Sequence, residues 1–283
     1  MSGPRVHPAS FVDPAAKLAD GVVVGPGAVI GPNVSIGENT TVGSHALLEG
    51  WLTIGRDCRI HHGAVLGTVP QDLKYPGGES YLTVGDRTVV REYATLNKGT
   101  LGGGGRTTVG SDCMIMAYAH VAHDCILEDR VIMANLASLG GHVLVERGAI
   151  LSAMVAVHHF GTIGRMAFLS GMAGCRRDAP PFMILEGNPA RVRGVNIVGL
   201  QRAGVSREAI NALRQSCRLL YHSELAQDVA KERIVAEGLD QFAEVKYLLE
   251  FLARVEKGNL GRAREALRKQ HGPAAAAEAE QPG

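Results

Sequence analysis

The sequence predicts a parallel β-helix followed by a smaller helical part. Three observations carry that expectation. Aliphatic residues or methionine recur at every sixth position, as in the run Val121, Leu127, Met133, Leu139, Val145, Leu151 and Val157. A six-residue step fits neither the period of a helix nor that of a single strand, but it is the step of a strand-plus-turn unit stacked into a prism. The next residue is repeatedly glycine (Gly25, Gly31, Gly37, Gly43, Gly55, Gly67, Gly85, Gly110, Gly140, Gly164), which is expected to let the chain turn tightly. From Ser206 the spacing changes to Ile210, Leu213, Cys217 and Leu220, one face of a helix.

Taken in order, Val6, Val12, Leu18, Val24, Ile30, Ile36, Val42, Leu48, Ile54, Ile60 and Leu66 set the first coils. Trp51, His61 and His62 break the small-residue pattern and are expected to point outward. Residues 68–83 interrupt the steps with prolines and paired glycines, so they project as an insertion carrying Gln71, Asp72 and Lys74. The steps resume at Val84, Val90 and Leu96, stop at the glycine-rich residues 101–107, and run again from Val109 and Ile115 through Ile163 to Leu169. The second interruption has no following Lys-Ser/Thr pair, which argues against a phosphate-binding P-loop. Three hexads close a coil, giving about eight coils and a prism roughly 40 Å long.

The prism is expected to end near residues 171–175, with the first domain taken as 1–190. Pro180, Pro181 and Pro189 exclude a helix just beyond it. Helices are expected from Ser206, over 225–237 and over 240–256, in a domain spanning 191–270 that covers the prism's open end. Residues 271–283 read as a disordered tail.

The net charge of +1 gives no basis for nucleic acid as a partner. Five cysteines without a CxxC pair suit reduced thiols in a cytoplasm. No apolar run is long enough for an integral membrane segment, and the first residues lack a hydrophobic signal core.

Chemistry concentrates in residues 117–159, which hold His120, His123, His142, His158 and His159. Positions one coil apart differ by about 18 residues, so Gly141 is expected over His123, with His142 beside it and His158 and His159 at the same corner of the next coil. Two uses remain open at this point: a metal held by imidazoles, or a neutral histidine taking a proton from a hydroxyl nucleophile.

The motifs AHVAHDC, GGHV, AVHHF, VPQDLKY, NKGT, LEGNPA and RGVNIVGLQRAGVSREAI resemble the acyl-ACP–UDP-N-acetylglucosamine O-acyltransferases that open lipid A synthesis in Gram-negative bacteria. The resemblance covers the chain to about residue 220. It implies a left-handed parallel β-helix in a homotrimer, with acyl carrier protein as acyl donor, UDP-N-acetylglucosamine as acceptor and no cofactor or metal. It implies His123 as general base, Asp124 as its orienting partner and the Gly141 N–H as oxyanion donor. It further implies that His120, His142 and His158 line the substrate and thioester, that Gln71, Asp72 and Lys74 grip the sugar and phosphates, that Asn196 and Arg202 contact the nucleotide, and that Gly171 leaves the acyl groove open for a long 3-hydroxyacyl chain. Arg207, Arg214 and Arg218 are candidates for meeting the carrier protein. Asn97, Lys98, Val198 and Ala203 depart from the pattern, which bears on the sugar and nucleotide contacts. The alternatives are the related N-acyltransferase, whose usual extra N-terminal domain is not evident before Val6, and a metal-dependent hydratase of the gamma carbonic anhydrase type.

Overall fold

The structure, a computed structural model, describes residues 3–262 and 264. Its short strands wind round three flat faces. Face A starts at Arg5–Val6, face B at Phe11–Val12 and face C at Lys17–Leu18. Within each face the prism strands pair in parallel with the strand one coil away, as Val121 does with Leu139 and Val145 with Ile163. The inward residue of each pair is the hexad aliphatic, and from Val24 to Leu169 these residues are almost wholly buried. Removing such an aliphatic side chain to alanine costs about 2–5 kcal/mol, so the period is what the fold depends on. Among the described residues face B has nine strands, one more than about eight coils supply. The extra rung is Gly174–Cys175, whose inward residue is a cysteine and falls outside an aliphatic period.

The glycines after the hexad residue have a different reason from the expected one. Of the ten, only Gly67 has a positive φ, at 86°. At Gly37, Gly85, Gly110, Gly140 and Gly164 an added Cβ would lie within 2.7 Å of backbone atoms of the next coil. Close stacking of coils, not turning, excludes a side chain there.

Turning is done by other residues, which occupy the left-handed region at the three edges of the prism. Each edge has its own chemistry. The C–A edge stacks Asp57, Arg87, Asp112 and Arg130, with Arg87 bonded through Nε and Nη2 to Asp112 at 2.7 and 2.9 Å. The A–B edge stacks Tyr93, Tyr118, Leu136, Met154 and Met172, all exposed. The B–C edge stacks Asp124, His142 and Phe160. Both insertions leave the prism at this same B–C edge, between Val65–Thr68 and Tyr81–Val84 and between Thr95–Asn97 and Arg106–Val109.

Met183–Glu186 and Arg191–Val195 close the end as an antiparallel pair. The helices that follow among the described residues include α1 (Ile197–Arg202), α2 (Arg207–Tyr221), α3 (Gln227–Ala236) and α4 (Ala243–Glu256). The Ser206 hydroxyl caps α2 by accepting from the Ala209 N–H at 3.1 Å. Helix α1 was not expected, because Gly199 interrupts its short apolar run; Asn196 caps it. Helix α4 lies along the C–A edge, where the Arg165 guanidinium sits 4.2 Å from the Tyr247 ring centre and Arg254 approaches the buried Glu146 at 3.7 Å. The expected tail, 271–283, lies outside the described residues.

Candidate active site

The site is built where face B turns into face C. His123 lies in this corner and Asp124 occupies its left-handed position. His123 Nδ1 is 2.8 Å from Asp124 Oδ2. The aspartate side chain is almost fully enclosed. Burial alone would push its carboxyl up, but bonds from His123, from the Thr100 hydroxyl (2.6 Å) and from the Thr100 N–H (2.8 Å), with His142 nearby, hold it below its ordinary 3.8. An ionised Asp124 accepts the Nδ1 proton, so Nε2 of His123 is left as the free acceptor.

Gly141 lies one coil above. A Cβ there would stand 2.5 Å from Cε1 and 2.7 Å from Nε2 of His123, so the imidazole rests directly against this glycine. Among the described residues the Gly141 N–H has no hydrogen-bond partner. The His142 ring meets His123 edge-on, with centres 5.1 Å apart, and stacks on Phe160 at 4.3 Å. His158 and His159 occupy the next rung, their ring centres 3.9 Å apart. His120 points out from face B with Nδ1 2.7 Å from the Thr95 hydroxyl, and burial, then His123, lowers its pKa.

The remaining candidates are spread over the molecule. Gln71, Asp72 and Lys74 ride on the first insertion at the histidine edge, where Asp72 Oδ1 accepts from the Lys74 N–H at 3.0 Å. Gly171 lies on the A–B edge; a Cβ there would meet only the Ala153 carbonyl, at 3.6 Å. Asn196 is buried and bonded at both ends, accepting from the Gly199 N–H at 3.0 Å and donating to the Met166 carbonyl at 2.9 Å on the C–A edge. Its side chain therefore serves as a cap and a tie rather than facing outward. Arg202 is exposed at the far end of α1. A single chain thus does not bring Gly171, Asn196 and His123 to the same edge.

Three contributors were not legible in the sequence. The second insertion is a lid on Asp124: Thr100 bonds its carboxylate, and a Cβ on Gly103 would fall 2.1 Å from Oδ2, so glycine is needed for the loop to close. The Thr107 hydroxyl accepts from the Asp124 N–H at 2.8 Å. Arg264 reaches back from the C-terminal side and donates to the carbonyls of His142 (2.9 Å) and Phe160 (3.1 Å).

Thr100 supports a direct test. Thr100→Val removes the hydroxyl bond to a buried carboxylate and is expected to lower kcat about tenfold and stability by about 1–3 kcal/mol. A carboxyl depressed in the folded state stabilises above its unfolded pKa and loses that contribution as pH falls through the folded value. The substitution brings the folded value back toward 3.8, so the acid-unfolding midpoint is expected to move to higher pH in a circular-dichroism titration.

His123, Asp124 and His142 also offer ligand atoms within 4.8 Å of one another, so the corner has the donors for a metal. A metal on Nδ1 of His123 would have to displace the 2.8 Å contact to Asp124.

Comparison with known proteins adds independent findings. The family described as Udp N-acetylglucosamine O-acyltransferase, Domain 2, matches residues 178–260, and bacterial transferase hexapeptide repeats match 33–68 and 106–141. The chain is 47% identical over 188 residues to an acyl-[acyl-carrier-protein]–UDP-N-acetylglucosamine O-acyltransferase of Synechocystis sp., covering 66% of this chain and 68% of the relative. It is 45% identical to the protein of that name from Gloeothece citriformis, covering 73% and 74%. The solved UDP-N-acetylglucosamine acyltransferase of Bacteroides fragilis superimposes with a TM-score of 0.83 at 35% identity, covering 87% of this chain and 95% of that one. The fold class is a left-handed parallel β-helix with C-terminal helices.

Proposed function

The chain belongs to the acyl-[acyl-carrier-protein]–UDP-N-acetylglucosamine O-acyltransferases, and from that premise we propose that His123 is the general base of the transfer. The reaction moves a 3-hydroxyacyl chain from acyl carrier protein to the glucosamine 3-hydroxyl of UDP-N-acetylglucosamine, the first step of lipid A biosynthesis. The observation that carries the mechanism is an imidazole oriented by a buried aspartate and resting against a glycine whose N–H has no partner among the described residues.

Nε2 of His123 takes the proton of the 3-hydroxyl as its oxygen attacks the thioester carbonyl. The charge that develops on the carbonyl oxygen meets the Gly141 N–H, a donor worth about 3 kcal/mol in such a position. The tetrahedral species collapses, the carrier-protein thiolate leaves, and the imidazolium returns the proton to it. Asp124 holds the tautomer and stabilises the imidazolium. His120, kept neutral by burial, and His142 and His158 line the approach. Gln71, Asp72 and Lys74 grip the sugar and diphosphate, where Lys74 supplies positive charge. No cofactor or metal takes part. Gly171 leaves room for a long acyl chain.

The functional unit we propose is a cytoplasmic homotrimer. No described helix is long and apolar enough to cross a membrane. The exposed A–B ridge is flanked by apolar outward residues, Phe11, Val29, Leu47 and Val65 on face B and Met114, Ile132, Ile150 and Phe168 on face A. Face C is mostly polar outside. A surface of that extent calls for a partner, and a second copy would bring Gly171 and the α1 region of one protomer toward the histidines of another. Arg207, Arg214 and Arg218, exposed on α2, would meet an acidic carrier protein.

The testing experiment offers several 3-hydroxyacyl carrier proteins and UDP-N-acetylglucosamine to the full chain in the presence of a chelator. The expected product is heavier by one acyl chain, with an alkali-labile ester at the 3-hydroxyl. Activity that disappears with the chelator and returns with zinc would favour the metal reading of the same corner.

A further inference from the structure

Asn97 and Lys98, which stand out in the sequence as departures from the family pattern, have a structural task. Among the described residues, every hydrogen bond from residues 69–78 to the rest of the chain ends on one of these two side chains. Asn97 Nδ2 donates to the Val69 carbonyl at 3.0 Å and the Thr68 hydroxyl at 2.9 Å, at the start of the first insertion. Lys98 Nζ approaches the Gly78 carbonyl at 3.4 Å, at its end. The lysine is only 6% exposed. Its ammonium lies 5.1 Å from the ring centre of Trp51, on the prism, and 5.7 Å from that of Tyr75, on the insertion. A desolvated cation between two aromatic faces holds both. By the register that pairs Leu96 with Val121, Lys98 lies one coil below His123.

We propose that Lys98 is a positioning residue that closes the first insertion onto the histidine edge and thereby sets affinity for the nucleotide sugar. The proposal rests on the reading that Gln71, Asp72 and Lys74 grip that substrate. Asn97 fixes where the loop departs, and Lys98 fixes where it returns. Without the second tie the loop keeps its internal turn at Asp72 but loses its angle to the prism. The chemical step at His123 is untouched, so the cost falls on binding.

Two readouts on the full chain separate the clamp from its consequence. Lys74 is the single lysine or arginine within residues 69–80, so trypsin cleavage after it reports loop opening without any substrate. Lys98→Met keeps the apolar stem and removes the charge. It is expected to speed that cleavage about tenfold, the scale of one desolvated cation–aromatic contact. The KM for UDP-N-acetylglucosamine is expected to rise by about the same factor, with kcat and the carrier-protein KM changed by less than about threefold, the pattern of lost ground-state binding. Lys98→Arg, which restores a cation and donors, is expected to recover both. Unchanged cleavage and unchanged KM overturn the clamp. A raised KM without faster cleavage also overturns it, in favour of direct contact between Lys98 and substrate. Faster cleavage with unchanged KM refutes the claim on affinity and the insertion's grip on the nucleotide sugar, and leaves the role of His123 standing.

Discussion

His123→Ala is expected to lower kcat by about 10³-fold, within the range for loss of a positioned general base. The fold should survive, because the ring sits on an edge of the prism and no hexad aliphatic is disturbed. Far-ultraviolet circular dichroism and thermal melting check that half of the expectation, and single-turnover acyl transfer checks the other. The loss should appear in kcat and kcat/KM together, because the proton moves only in the transition state. Wild-type turnover by this variant would remove the base from the mechanism.

The second large effect is expected at a residue with no side chain. Gly141→Ala places a methyl group 2.5 Å from Cε1 of His123, inside any real contact distance. The φ of Gly141 is not in the left-handed region, so alanine brings no backbone strain there. The imidazole must therefore swing away, and it can do so only by leaving Asp124. A fall in kcat of about 10²-fold is expected, with a stability cost of about 1–3 kcal/mol from overpacking. The N–H donor is still present in the variant. In the His123→Ala background the new methyl group has no ring to displace, so adding Gly141→Ala should change the residual rate by less than about threefold. An undiminished cost in that background would place the effect of Gly141 on the backbone amide instead of on the base.

The prism was legible because a narrow interior accepts little besides aliphatic side chains, and that demand repeats at every sixth residue. The same regularity makes Gly141 readable over His123 from the spacing alone, with His158 and His159 at the same corner of the next coil. Where the regularity breaks, sequence reading fell short. Thr100 and Thr107 act on Asp124 across an insertion whose length cannot be counted in hexads. Lys98 reads in the sequence only as a departure from the family motif, and its task is hidden because its partners, Trp51, Tyr75 and Gly78, lie on other coils and on a loop. Arg264 reaches carbonyls of His142 and Phe160 from more than a hundred residues away, through the packing of a C-terminal segment that no period announces. The glycines after each aliphatic residue were noticed for the right positions and the wrong reason. Their φ values are mostly ordinary, and at Gly37, Gly85, Gly110, Gly140 and Gly164 it is the next coil's backbone that forbids a Cβ.

The most direct test is a structure of the protein with UDP-N-acetylglucosamine bound. The glucosamine 3-hydroxyl is expected within about 2.6–3.2 Å of His123 Nε2, on the side of the ring from which an acyl carbonyl could reach the Gly141 N–H. A sugar held at another edge of the prism, or with its 3-hydroxyl turned away from His123, would contradict the mechanism.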